Sequence, residues 1–195
     1  MPLTMSMSAA QLLKKTTFDA HTTTEKTVNP KLNSITTYDD YGRMLKMFYG
    51  FFHPLEKIIA QYISKEILYD IDDRRNSNSI LTDLKVIGQS TEGLLICSDL
   101  PNINSTAGAL GAMYVLEGST LGGRMISKML MKNNFVRFDA SNLHFFSGYG
   151  ENTGIKWTEF LSVLEQYENE ANDMVRIAND TFNCLTKWME TVYEP

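Results

Sequence analysis

Apolar residues recur along this chain at three- and four-residue spacing and hardly anywhere in strict alternation, a pattern that predicts helices rather than sheet. Ser8-Ala-Ala-Gln11 has the spacing of a capping box, so a first helix is expected to start there and run through Lys26, ended by Asn29-Pro30. A second helical stretch spans about Tyr38 to Glu66, with Pro54 expected to kink or restart it. Asp70 to Ser79 is polar and loop-like. A helix from about Ile80 to Cys97 follows, Pro101-Asn102 marks the next break, and a long helix is expected over Ser105 to Lys132. Glycines and aromatics make Asn133 to Gly154 irregular, and Ile155 to Val192 closes the chain as two helices or one bent one. No repeat or low-complexity linker interrupts the series. The pattern predicts an all-α fold, with residues 1–195 forming a single domain.

Composition narrows the class of protein. Hydrophobic residues make up 43% and charged residues 21%, ordinary for a globular domain that buries one core. The 18 basic residues against 23 acidic ones leave a net charge of −5, which argues against nucleic acid or an anionic membrane as partner. No uncharged apolar run approaches the roughly 18 residues of a membrane span. Met1-Pro-Leu-Thr-Met-Ser-Met-Ser8 lacks the basic and apolar regions of a secretory signal, so a cytoplasmic protein is expected. Cys97 and Cys184 stand apart from each other and from histidines, which excludes a zinc motif. They read as two packed thiols, with one disulfide left open.

The long helix carries the most informative deviation. Gly108-Ala-Leu-Gly-Ala-Met-Tyr-Val-Leu-Glu-Gly-Ser-Thr-Leu-Gly-Gly123 places five glycines in an apolar helical segment. Each interior glycine costs roughly 1 kcal/mol relative to alanine, so packing or function has to offset a few kcal/mol. At about 100° per residue, Gly108, Gly111, Val115, Gly118, Gly122 and Met129 fall on one narrow stripe. Such a bare stripe lets something flat and bulky approach the helix backbone.

Three histidines are available as ligands. His21 shares a face of the first helix with Thr17, Ala20 and Thr24, small residues that leave room for a planar ligand against an imidazole nitrogen. Glu25, one turn later, could take a hydrogen bond from the other ring nitrogen and fix the tautomer. Read alone, His21 is as simply a surface histidine. His53, beside Pro54 in an aromatic cluster, and His144, beside Phe145 and Phe146, read as packing residues. Ser119 and Cys97 are potential nucleophiles without an evident base, and Tyr114, at the edge of the stripe, is either packing or a pocket hydroxyl.

Taken together, two of these segments point to a family. Tyr114-Val-Leu-Glu-Gly-Ser-Thr-Leu-Gly-Gly123 resembles the distal helix of bacterial haem oxygenases, the biliverdin-producing branch associated with bacteriophytochromes. Leu13-Lys-Lys-Thr-Thr-Phe-Asp-Ala-His-Thr-Thr-Thr-Glu25 is similar to that family's proximal helix, and Phe145 to Trp157 to the stretch after the distal helix. The resemblance covers most of the chain in order. It implies a haem-oxygenase fold with haem between the two helices, His21 as proximal iron ligand, and Gly118, Gly122 and Gly123 as distal glycines against the macrocycle.

It further implies that haem is both substrate and cofactor. Dioxygen and an external electron donor (ferredoxin, flavodoxin or a reductase) are consumed, and the ring opens to biliverdin with release of carbon monoxide and ferrous iron. A bacteriophytochrome would accept the biliverdin. Ser119 stands where animal-type members carry an aspartate that organises distal water, a change the bacterial branch accommodates. Lys14 matches a position that contacts a haem propionate, Lys128 and Lys132 are weaker candidates, and Tyr114 and Glu25 complete the expected pocket. Two other functions remain open on the sequence: a haem-handling protein with little turnover, and a thiaminase-like fold relative acting on another ligand.

Overall fold

The computed structural model describes residues 7–192; the Met1 to Ser6 part of the N-terminal segment discussed above lies outside them. Among the described residues every regular element is helical: α1 (Ala9–Thr16), α2 (Phe18–Asn33), α3 (Tyr38–Ile59), α4 (Asn78–Val86), α5 (Thr106–Leu130), α6 (His144–Ser147), α7 (Thr153–Glu165) and α8 (Ala171–Val192). Short 3-10 turns occur at Ile71–Asp73, Gly150–Asn152 and Glu168–Glu170. The all-α expectation holds.

The Ser8 capping box is present: Gln11 N donates to Ser8 Oγ at 3.3 Å and Ser8 N to Gln11 Oε1 at 3.2 Å. Glu165, at the end of α7, adds its carboxylate to the next free donors, Ala9 N at 3.0 Å and Ala10 N at 3.1 Å. The expected first helix is in fact two. At Thr17 both the backbone N–H (2.9 Å) and the side-chain hydroxyl (2.8 Å) compete for the Leu13 carbonyl, and the helix axis breaks there. Nor does Asn29-Pro30 end α2, which continues to Asn33 because Val28 and Leu32 extend its buried face by a turn.

Thr37 and Asp40 form a second capping box that starts α3. Pro54 sits inside one continuous helix instead of restarting it. Proline leaves the Gly50 carbonyl without its helical donor, and Cys97 N fills that place at 2.8 Å. Gly50 permits the approach, since a Cβ there would lie 2.5 Å from the Leu95 carbonyl oxygen and 2.6 Å from the Trp188 ring. The helix ends at Ile59, short of Glu66, where the chain tightens into turns that bury Ile63 and Leu68.

Likewise α4 ends at Val86, well before Cys97. Gly88 adopts φ +73°, and Gln89 N returns to the Leu84 carbonyl at 2.8 Å, closing the helix end. The segment after it is extended across α3.

One continuous core joins these elements, with Leu13, Tyr41, Phe51, Phe52, Leu110 and Phe160 among its buried side chains. Helix α8 is its spine. It packs along α5 and against α1, α2 and α3, while α7 lies on α5 and α1, and α6 on α4 and α5. Cys97 and Cys184 are both free thiols, and burial pushes Cys184 up to about 11.

Candidate functional site

Helices α2 and α5 both rest on α8 but barely touch one another directly. Thr24 ties α2 to α8 through Thr186 Oγ1 at 2.8 Å and the Phe182 carbonyl at 3.3 Å. Tyr114 reaches from α5 to the side chain of Thr17, at the α1–α2 joint. Burial raises the phenol above its ordinary value, and the Thr17 hydrogen bond pulls the other way. The two helices therefore meet at a floor of Thr17 and Tyr114, with Trp157 of α7 5.4 Å from the Tyr114 ring.

His21 lies one turn above that floor, its side chain 51% exposed and its ring edge-on to Phe182 at 5.4 Å. Glu25 Oε1 stands 3.6 Å from His21 Nε2, an ion-pair distance too long for a hydrogen bond. The carboxylate thus does not fix the tautomer in this geometry. Phe18, 64% exposed on α2, and Leu121 and Met125, 40% and 76% exposed on α5, present apolar side chains to solvent.

The glycine stripe divides by what it faces. A Cβ on Gly111 would lie 2.3 Å from the Met174 carbonyl oxygen, so this glycine serves the close packing of α5 on α8. Gly108 likewise meets Ser105, Ile177 and Asp173. Gly123, expected to lie against a macrocycle, is buried, and a Cβ there would lie 2.5 Å from the Phe146 carbonyl oxygen, so it serves the packing of α6. Gly118 has only the Trp157 indole near its open side, at 3.6 Å, and Gly122 has nothing within 4 Å. The bare surface of the helix is therefore narrower than the sequence stripe, and centres on Gly118 and Gly122.

Beneath this wall lies a charged network that sequence reasoning missed. Arg74, 3% exposed, donates to Asp70 at 3.0 Å, to Glu117 at 2.8 Å and to the Lys156 carbonyl at 2.9 Å. Lys156 also pairs with Asp70. Burial works against the Asp70 carboxylate, yet the hydrogen bonds from Lys156 and Arg74 hold it below its ordinary value. Tyr149 OH donates to Glu117 at 2.8 Å and accepts from Arg75 N at 2.9 Å, and burial and the Glu117 charge push its phenol well up. Arg75 donates to the Leu116 carbonyl at 2.7 Å and to Ser119 Oγ at 2.9 Å. Glu117, a lone acid in an apolar glycine-rich helix, paired with the Arg74-Arg75 dipeptide of a polar loop, was the available signal.

The remaining candidates fall outside this arrangement. Lys14 is exposed on α1, and Lys128 and Lys132 are exposed at the far end of α5 and just beyond it. His144 binds Asp83 through Nδ1 at 2.7 Å, and the same buried carboxylate accepts from His144 N and Phe145 N, capping α6. His53 stacks on Tyr49 at 4.7 Å beside a groove of about 310 Å³ that none of the other candidates lines.

With the geometry in view, the comparisons with known proteins agree on a class. No protein-family model matches the chain. A haem oxygenase of Xanthomonas campestris pv. campestris (strain 8004) is 30% identical over 128 residues, covering 66% of this chain and 73% of that protein. The crystal structure of haem oxygenase 2 from Chlamydomonas reinhardtii, solved without haem, superposes with a TM-score of 0.73 over 97% of this chain and 99% of that one, at 15% identity, which speaks for the fold. The all-helical chain has the architecture of a haem oxygenase. It belongs to the haem oxygenase family and is an enzyme of that class.

Proposed function

We propose that this chain binds haem between α2 and α5 and cleaves it oxidatively to biliverdin, carbon monoxide and ferrous iron. The observation that carries the proposal is the pairing of a half-exposed imidazole on α2 with a helix face stripped of side chains at Gly118 and Gly122 on α5, both helices braced on α8. The residues present fit the group. A lone exposed imidazole offers iron one ligand and leaves the other positions to a porphyrin. Exposed Phe18, Leu121 and Met125 supply apolar contact area for its faces.

When bound, haem would supply both the iron that activates dioxygen and the ring that is opened. The protein's part is to hold and shield. His21 is the proximal ligand in this reading, and a neutral imidazole, unlike a thiolate, does not push electron density toward early O–O cleavage. Gly118 and Gly122 let the backbone of α5 lie close to the ring and leave space on its distal side. Tyr114 and Trp157, their rings 5.4 Å apart, would wall the inner side of the bound ring against water. In this reading Lys14, exposed on α1, would have to reach a propionate from outside the site described above, and Glu25, 3.6 Å from His21 Nε2, would orient the imidazole once its ring turns.

Residues 1–195 act as one domain in this account. Electrons come from an external donor of the ferredoxin, flavodoxin or reductase type, and the site is cytoplasmic. Association with a bacteriophytochrome rests on the distal-helix motif alone. The test is direct: haem-loaded protein given dioxygen and a reductant is expected to lose its Soret band as biliverdin absorption rises. A stable haem spectrum under those conditions would point instead to a haem-handling protein with little turnover.

A further inference from the structure

Ser119, at the position where proton delivery is most in question, has its bonding almost fully committed. Its hydroxyl donates to the Leu116 carbonyl at 2.6 Å and accepts from Arg75 Nη2 at 2.9 Å, so only one acceptor lone pair is left. Ser119 therefore has no proton free to donate. The group behind it is unusual. Arg75 lies between two aromatic rings, 5.2 Å above Phe52 and 4.6 Å above Phe145, and its Nε is buried without a hydrogen-bond partner.

Among the described residues no carboxylate stands within ion-pair range of Arg75. The nearest candidates are spent elsewhere: Glu117 on Arg74 and Tyr149, and Glu56 on Ser77. Burial accordingly pushes the Arg75 guanidinium below its ordinary value, with Glu117, Tyr149 and Glu56 pulling back only from a distance. A partly buried cation with no carboxylate in direct contact is costly and is not what a purely structural strut requires. Arg74, one residue earlier, differs in being ion-paired with Asp70 and Glu117, although its Nη2, like Arg75 Nε, is buried without a hydrogen-bond partner.

We propose that Arg75 is a positioning residue of the distal wall. It fixes the Ser119 hydroxyl and the Leu116 carbonyl, and it sets a positive charge with no direct ion-pair partner against the stretch of α5 that carries Gly118. That charge favours electron density building up in the space that Gly118 and Gly122 leave open, the role an oriented donor plays in a preorganised site. The charge acts through space, so the serine needs no acidity of its own. The inference rests on the haem-binding reading above.

The test uses carbon monoxide bound to the reduced haem complex of the full chain as a probe of the distal field, read by the infrared C–O stretch. A nearby positive charge draws electron density into the bound carbon monoxide and lowers the stretch, so Arg75→Met is expected to move the band to higher wavenumber. Arg75→Lys keeps the charge without the fork and is expected to return it most of the way. Should the methionine variant fail to fold, Arg75→Gln, which keeps a donor toward Ser119 without charge, carries the same comparison. Neutral variants with the wild-type band, or a lysine variant coinciding with the neutral ones, would overturn the role of Arg75 alone. A wild-type protein that yields no carbonyl complex would overturn the haem reading and this proposal with it.

Discussion

Gly122 and Gly111 carry the same side chain in one helix and have opposite consequences when changed. Gly122 faces open space in the interior of α5, so Gly122→Ala should raise stability by about 0.5–1 kcal/mol through helix propensity, read as a higher midpoint in urea. Gly122→Leu should fold as well but lose haem affinity, because the side chain occupies the ring's place. Gly111→Ala forces a Cβ to within 2.3 Å of the Met174 carbonyl oxygen and should cost about 1–3 kcal/mol or more. A Gly122→Leu protein that binds haem like the wild type would remove the distal wall from the account.

Arg74 and Glu117 make a second contrast. Glu117→Gln leaves a buried guanidinium short of charge and should cost about 3–5 kcal/mol, whereas Arg74→Met with Glu117→Leu should recover much of that loss. Chemical denaturation of the two variants separates these outcomes.

At the scale of elements, helix starts are governed by local chemistry and helix ends by their neighbours. Asp40 accepts from Thr36 N at 3.0 Å and Thr37 N at 2.8 Å, and the Thr36 backbone hydrogen bond above all holds its carboxyl down to about 2. Its folded value lies below the ordinary 3.8, so its contribution is complete above that pH and disappears as pH falls through about 2. Asp40→Ala should cost about 1 kcal/mol near neutrality and progressively less as pH falls toward and below about 2, measured by thermal melts across that range.

Both capping boxes, Ser8 with Gln11 and Thr37 with Asp40, are written within four residues, and the first was legible for that reason. The end of α4 at Gly88 and the passage of α3 through Pro54 were not. The latter depends on a Cys97 N–H that arrives from more than forty residues away. A second donor for the orphaned carbonyl removes one of the two costs of a proline inside a helix, the other being the clash of its ring with that carbonyl.

For the whole molecule, the helical class and the two candidate walls could be read from periodicity and from the His21 and glycine motifs, because both are local patterns. The division of labour among the glycines could not, since Gly108, Gly111 and Gly123 differ from Gly122 only in what α8 and α6 bring against them. The buried network of Arg74, Glu117, Asp70 and Lys156 was hidden for the same reason: its members lie far apart in the chain and each alone looks like surface.

What joins these parts is α8, on which both α2 and α5 pack, while Tyr114 links α5 to Thr17 at the start of α2. In the haem-binding reading proposed above, the ligand lies between them and is held from α2. The decisive measurement is a hemin titration of the wild type beside His21→Ala, followed at the Soret band. The account predicts that the wild type saturates with a histidine-ligated spectrum and that His21→Ala loses or markedly shifts it. An unchanged spectrum in His21→Ala would contradict the account.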